Sequence, residues 1–280
     1  MINQLFKKTI SKTAVVLSVL SMFFLLTPTI THAEEKKSEP QVTVSNIGSE
    51  SFSISWFTDT KVDGSILYGK TEAGLVDTTF DDRGKDTPRL THHVTLKNLQ
   101  PSTDYYFKIA DTTRVYRQKT AATIPTTVIP PTPERFRGTI VTEDKLVPAE
   151  AIIYFKMSGA SLITSVMNSD GTYEVLTTNM RTDALNSYYK VEELKYADFF
   201  IRTGFEGEAI RKVFAAVRRD PIDFTLLAPR IPFYKIVFPG FIEPAQPAST
   251  STPGTASNAA PTGNTQGFFG TVWETIKSLF

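Results

Sequence analysis

No cysteine occurs in the 280 residues. That absence excludes disulfides, thiolate metal sites and cysteine nucleophiles. A domain of this chain is therefore held by its core alone and needs roughly 80–100 residues to bury enough surface. Histidine is nearly as scarce, with three, at positions 32, 92 and 93. Adjacent strand residues point to opposite faces, so His92 and His93 cannot both chelate one ion. A Ser-His-Asp triad would have to draw its base from one of these two, with no nucleophile elbow to serve it. Both read as structural or surface histidines. An excess of one charge is missing too. Lys+Arg 30 against Asp+Glu 29 leaves a formal +1, so no global field recruits nucleic acid or an anionic membrane. No catalytic, cofactor-binding or metal-binding residue is singled out, and no cofactor is expected.

The ends of the chain are distinctive. Lys7, Lys8 and Lys12 precede an apolar run over residues 14–26, Pro28 breaks it, and Thr31-His32-Ala33 offers small residues for cleavage. Residues 1–33 thus read as a helical export signal with a mature start at Glu34. The alternative is an uncleaved anchor, since residues 13–30 approach the ~18 needed to span a bilayer. Residues 34–39 are charged and apolar-poor, a flexible leader. At the other end, residues 243–266 are mostly Pro, Ala, Ser, Thr, Gly and Asn, which reads as a disordered stalk open to Ser or Thr glycosylation. Residues 267–280 place Phe268, Phe269, Val272, Trp273, Ile276, Leu279 and Phe280 on one helical face. Such a helix is about 20 Å long, too short to span. It is read as contacting a membrane surface or a partner, with docking on its own protein as the alternative.

Between these ends the signal is β throughout. In residues 40–123, Phe52, Ile54 and Trp56 alternate with Ser51, Ser53 and Ser55, an inward/outward strand. Val42, Val44 and Ile47 suggest a strand before it, and residues 66–69, 91–96, 105–109 and 115–119 supply others. About seven short strands in some 80 residues predict an antiparallel sandwich. The stretch Leu99-Gln-Pro101-Ser-Thr103-Asp-Tyr105-Tyr-Phe107-Lys-Ile109 carries a tyrosine where a strand begins after a turn, placed to close a corner by bonding an upstream backbone group. With Trp56 and the alternating strands, this run resembles the fibronectin type III signature. Ile66-Leu-Tyr68-Gly69 and His92-His93-Val94-Thr-Leu96 are most similar to the subgroup that precedes purple acid phosphatase catalytic domains. The resemblance implies the accessory fold and not phosphatase activity. Asp77, Asp81, Asp82 and Asp86 surround Arg83-Gly84. Four carboxylates suit calcium, but their spacing fits no EF-hand and Arg83 and Lys85 supply counter-charge, so a solvated loop is expected.

Residues 124–134 carry prolines at 125, 130, 131 and 133 and read as a semi-rigid polyproline II spacer. A second sandwich is expected over residues 135–242. Strands are read at 136–141, 151–155, 162–166, 172–176, 199–202, 209–217 and 223–227. Asp170-Gly171 makes a tight turn. Gly138-Thr-Ile140, Pro148-Ala-Glu-Ala151, Asp170-Gly171-Thr-Tyr173 and Asp223-Phe-Thr-Leu226 resemble, in order, the motifs of carboxypeptidase-regulatory or transthyretin-like sandwiches. Residues 181–185 suggest one turn of helix, with no chemistry for Asp183. Residues 230–241 are apolar but broken by Pro232 and Pro239. They form either a strand packed on the second sandwich or an exposed adhesive strip.

The expected architecture is all-β, two antiparallel sandwiches in tandem with a signal helix and a short C-terminal helix. The expected function is non-enzymatic: an exported cell-surface or secreted protein that presents the two modules to a protein or glycan. Residues 79–89 and 204–208 are the expected contact loops. Alternatives are an accessory portion related to purple acid phosphatases and a structural subunit of a surface assembly.

Overall fold

The computed structural model describes residues 40–215 and 220–227. The expected signal, leader, stalk, C-terminal helix and apolar 230–241 segment lie outside the described residues.

The first sandwich contains β1 (Thr43–Ser45), β2 (Phe52–Val62), β3 (Ser65–Gly69), β4 (Asp77–Phe80), β5 (Arg89–Leu96), β6 (Asp104–Ile109) and β7 (Tyr116–Lys119). They form a three-stranded sheet, β1-β2-β5, and a four-stranded sheet, β4-β3-β6-β7, with antiparallel pairing throughout. Alternate residues of facing strands fill the space between them: Phe52, Ile54 and Trp56 from β2, Val94 and Leu96 from β5, Phe107 from β6 and Tyr116 from β7. Burying each such side chain stabilises by about 1.5–3 kcal/mol. Tyr105 closes the expected corner. Its hydroxyl accepts the Gln100 N–H at 2.9 Å. Removing only that oxygen in Tyr105→Phe leaves a backbone donor without its partner and is expected to cost about 1 kcal/mol. Urea unfolding of the two proteins measures it.

The second sandwich contains β8 (Arg135–Val141), β9 (Ile152–Met157), β10 (Ile163–Val166), β11 (Thr172–Leu176), β12 (Tyr196–Arg202), β13 (Glu208–Phe214) and β14 (Phe224–Thr225). Its sheets are β10-β9-β12-β13 and β11-β8-β14. The pairing is antiparallel except where β14 runs parallel to β8. Gly138 is required at that join, because a Cβ there would meet the Ile222 carbonyl oxygen at 2.2 Å. The Asp170-Gly171 turn forms as expected, with Gly171 at φ +83°, a conformation glycine takes without steric cost. An aromatic cluster of Phe136, Phe155, Tyr173, Phe199 and Phe224 centres the core.

The local structure departs from expectation at four places. The aspartate stretch is only partly a solvated loop: Asp77 and Phe80 belong to β4 and Asp81 is buried, while Asp82 and Asp86 are exposed between β4 and β5. Residues 181–185 are not helical; Arg181 and Thr182 instead form bridges to Tyr188 and Ala160, and Asp183 pairs with Lys156. The proline-rich stretch is interrupted by a turn in which the Val128 N–H donates to the Pro125 carbonyl at 2.9 Å. Most consequentially, the serines read as outward on β2 are not at the surface. Ser53 and Ser55 are fully buried, because the second sandwich covers that face. The linker therefore joins two bodies in contact and does not hold them apart.

Candidate functional site: the seam between the two sandwiches

The seam is built from the outer faces of two sheets. On β2, the residues that alternate with the core-facing Phe52, Ile54 and Trp56 are Ser53, Ser55 and Phe57. On β5, Thr91, His93 and Thr95 share that outer face through the pairs Phe57–Thr91, Ser55–His93 and Ser53–Thr95. Opposite them stand β9, β10 and β12. Strand β9 is apolar without alternation, Ile152-Ile-Tyr154-Phe-Lys-Met157. Ile153, Phe155 and Met157 enter the core of the second sandwich. Ile152 and Tyr154 join Phe57, Leu162, Val166 and Phe200 in a separate apolar cluster that spans the seam. A strand covered on both faces reads as a continuous apolar run.

Polar groups fix the register of this contact. Asn46 follows β1 in the left-handed region at φ 52°, which asparagine tolerates better than most residues. Its backbone N–H donates to the Leu162 carbonyl at 2.9 Å, and its side-chain oxygen accepts the Thr164 N–H at 3.0 Å. Ser55 and Tyr154 hydroxyls meet at 2.9 Å. Glu150, two residues before β9, inserts its carboxylate into the first sandwich. It accepts the Leu90 N–H at 2.9 Å, the Thr91 N–H at 3.2 Å and the Thr91 hydroxyl at 2.7 Å, with the Arg83 guanidinium at 3.7 Å. Arg83 is itself clamped by Asp81, at 2.8 and 2.9 Å. Arg181 reaches back to the Ala122 carbonyl at 2.8 Å, and Arg202 lies over the Phe57 ring at 4.8 Å.

His93 stands at the centre of a closed ring of hydrogen bonds. Its Nδ1 lies 2.8 Å from Asp82 Oδ2 and its Nε2 lies 2.8 Å from Thr164 Oγ1. A carboxylate at Nδ1 fixes the proton there, so the neutral ring accepts the Thr164 hydroxyl at Nε2. Thr164 Oγ1 then accepts from Asn46 Nδ2 at 3.1 Å and from the Ser45 hydroxyl at 2.6 Å. Asn46 Nδ2 also donates to Ser53 Oγ at 2.9 Å, Ser53 donates to Thr95 Oγ1 at 3.0 Å, and Thr95 donates to Asp82 Oδ2 at 2.6 Å. Every donor finds an acceptor in that one arrangement.

The ionisable groups are shifted by this burial. For Asp81, desolvation favours the neutral acid, but the hydrogen bond and charge of Arg83 outweigh it and hold the carboxyl below its usual range. Asp82 is lowered likewise, with His93 and Thr95 overcoming desolvation. Glu208 is raised by burial, against the pull of Arg202. Arg202 is lowered by burial to about 10. His92 faces the core instead, stacked on Trp56 at 4.7 Å, and burial lowers it to about 4. Because the folded protein holds His92 neutral while the unfolded chain protonates it near pH 6.5, its contribution is complete above that pH. It is lost as pH falls toward about 4. The expected loss is about 3 kcal/mol for a fully buried ring. Urea midpoints between pH 7 and 4 measure it, and His92→Leu is expected to flatten the dependence.

Chemistry-bearing groups elsewhere are few. Among the described residues no group of three or more His, Asp or Glu side chains is placed to hold a metal ion. A cleft of about 290 Å³ on the second sandwich is lined by Arg137, Thr139, Asn168, Thr172, Glu174 and Asp223, among others. Much of its lining is internally paired: Asp223 accepts the Thr139 N–H and hydroxyl at 2.8 Å each, Asn168 donates to Thr172, and Glu174 pairs with Arg135. The two expected contact loops converge on the seam. Gly204 lies against Leu90, and a Cβ at 204 would meet its side chain at 2.4 Å. Arg83 faces Glu150, so part of each loop is occupied. His93 is buried and hydrogen-bonded at both ring nitrogens. Glu150, Tyr154, Thr164 and Asn46 were not singled out by the sequence. The available signal was the unalternating β9 run.

The described chain is thus an all-β protein of two sandwiches. Residues 39–123 match the family described as "Purple acid Phosphatase, N-terminal domain", a fibronectin type III-like sandwich. No curated protein matches the chain. Among solved structures it is similar to "Structure of PhoD" at 16% identity, over 38% of this chain and 23% of that one, with a TM-score of 0.25. It is also similar to the FN1–FN3 domains of chicken CNTN1, at 11% identity over 63% and 65% of the two chains and a TM-score of 0.23. A type I pullulanase from Bacillus subtilis complexed with maltose matches at 8% identity over 62% and 24%, with a TM-score of 0.18. The chain spans about a quarter of the PhoD chain and about two-thirds of the CNTN1 chain.

Proposed function

We propose that this chain is an exported, non-enzymatic protein that presents two β-sandwiches to a protein or glycan at a cell surface or outside the cell. The observation that carries the reading is the seam. Hydrogen bonds and an apolar strip spend one sheet face of each sandwich on the other, as a display scaffold requires and a flexible string of modules does not. The remaining surface, the outer face of β4-β3-β6-β7 and the ends of the strands, is left in one fixed arrangement for a partner. The second sandwich is read as a carboxypeptidase-regulatory or transthyretin-like module, on the motifs around Gly138, Asp170-Gly171 and Asp223. Membrane-surface or partner contact is assigned to Phe268, Phe269, Val272, Trp273, Ile276, Leu279 and Phe280.

The test is cell fractionation of the full chain beside a version ending at Gln266. Membrane association of the first and release of the second is the expected result. Retention of both in the cytoplasm overturns the reading. The family match over residues 39–123 favours one other reading, an accessory portion of a phosphatase. Hydrolysis of a generic phosphate ester by the purified chain with added divalent metal would decide for it; no hydrolysis is expected.

A further inference from the structure

We infer that residues 233–238 of this chain dock on the outer face of β12 and β13, beside the seam, and cover the apolar strip that the two sandwiches leave open there. The inference goes beyond display of the modules and does not depend on where the protein resides. It decides between the packed and the adhesive readings of residues 230–241.

The strip follows from strand alternation. On β12 and β13 the pairs Ala197–Val213, Phe199–Arg211 and Ile201–Ala209 share one face, and all of these but Arg211 belong to the core of the second sandwich. The pairs Tyr196–Phe214, Asp198–Lys212 and Phe200–Ile210 therefore share the other face. Phe200 packs on the cluster of Phe57, Ile152, Tyr154 and Leu162 that spans the seam. Ile210 and Phe214 carry this apolar surface outward, 39% and 45% exposed. Tyr196 stacks on Phe214 at the rim. The charges between these two rows cancel, with Lys212 Nζ 3.3 Å from Asp198 Oδ1. An apolar surface continuous with a buried cluster marks a site of contact.

The chain itself delivers the cover. Leu227 exchanges two backbone hydrogen bonds, of 3.0 and 2.9 Å, with Glu208, the first residue of β13. The last described residue thus stands at the foot of the strip. Beyond it, between Pro232 and Pro239, comes Phe233-Tyr-Lys-Ile-Val-Phe238. The steps from Leu227 to Phe233 reach about 20 Å, and β13 is about 23 Å long, so the run can lie along the strip. Its β-branched and aromatic residues favour an extended chain. Tyr234, Ile236 and Phe238 then fall on one side, and Phe233, Lys235 and Val237 on the other. The first set repeats the two-residue pitch of Ile210, Lys212 and Phe214 and faces the strip. The second carries Lys235 and faces water.

A second copy of the chain offers the same run, but the tether wins. A short connection holds the run near the strip at an effective concentration on the order of millimolar. An uncovered run of this composition pairs with its like and aggregates, so covering it and the strip together removes two exposed surfaces at once.

The test is photocrosslinking of the full chain with p-benzoylphenylalanine in place of Phe214, read by peptide mapping. Capture of residues 233–238 within the same chain is expected. The same probe in place of Leu176, which is 43% exposed on β11 of the opposite sheet, is expected to miss them. Ile236→Asp, which sets a carboxylate against the strip, is expected to lower capture about tenfold or more, and Lys235→Asp to leave it unchanged. Capture of another copy overturns the inference, as does capture of other residues or of none. Equal capture from position 176, or an unmoved yield in Ile236→Asp, overturns it too. If Ile236→Asp does not fold, the maps from positions 214 and 176 decide alone.

Discussion

Glu150→Ala is expected to cost about 3 kcal/mol in the urea unfolding of the full chain, at the lower end of the range for removing one partner of a buried charged pair. The carboxylate takes two backbone N–H groups and a hydroxyl of the first sandwich. Its removal leaves Leu90 and Thr91 with donors that no water can easily reach, the more expensive way to lose a hydrogen bond. Arg83 limits the damage, since Asp81 still holds it in a bidentate clamp. The effect is expected to be a loss of coupling as well as of stability: one transition becomes two, as each sandwich unfolds alone. A cost below about 1 kcal/mol, the level of an exposed ion pair, would show that the contact contributes little in solution.

Phe199→Ala is expected to cost about 3–5 kcal/mol, the range for truncating a fully buried aromatic. Its ring sits among Phe136, Phe155, Tyr173 and Phe224 at centroid distances of 5.9, 5.1, 6.3 and 5.6 Å. The cavity left behind cannot collapse, because Phe199 is on β12, tied by ladders to β9 on one side and β13 on the other. Tyr196→Ala on the same strand is the control. That residue is 46% exposed, its ring stacked on Phe214 with the Lys212 ammonium 5.6 Å over it, so its loss is expected to stay within about 1 kcal/mol. Scanning calorimetry of the two variants compares them, and equal losses would contradict the assigned core.

The contrast between the two substitutions shows what the sequence makes legible. Phe199, Trp56, Tyr105 and Gly171 are governed by local rules. Alternation sends a side chain to one face, a tyrosine at a strand start closes a corner, and a glycine takes a positive φ in a tight turn. All four stand where those rules put them. The outward serines of β2 obey the same alternation, yet alternation says only which face they occupy and not what covers it. Ser55 and Tyr154 are 99 residues apart in the chain, and a polar residue gives no local sign that a second sheet lies over it. The same holds for Asp81, which Arg83 and the His93 N–H hide from solvent. Strand β9 carried the one readable sign, since Ile152 to Phe155 do not alternate and a strand buried on both faces has no need to. The partner of its second face was not legible, because the prolines of residues 124–134 argue for separation when read alone.

The central claim is that the two sandwiches hold one orientation through the seam. Pulsed electron spin measurement of the distance between labels at Thr78→Cys and Ser169→Cys, in the full chain at neutral pH, tests it most directly. A single narrow distance distribution is the predicted result, broadened by Glu150→Ala. A broad distribution in the parent protein would contradict the account, since it would mean that the sandwiches move independently about residues 124–134.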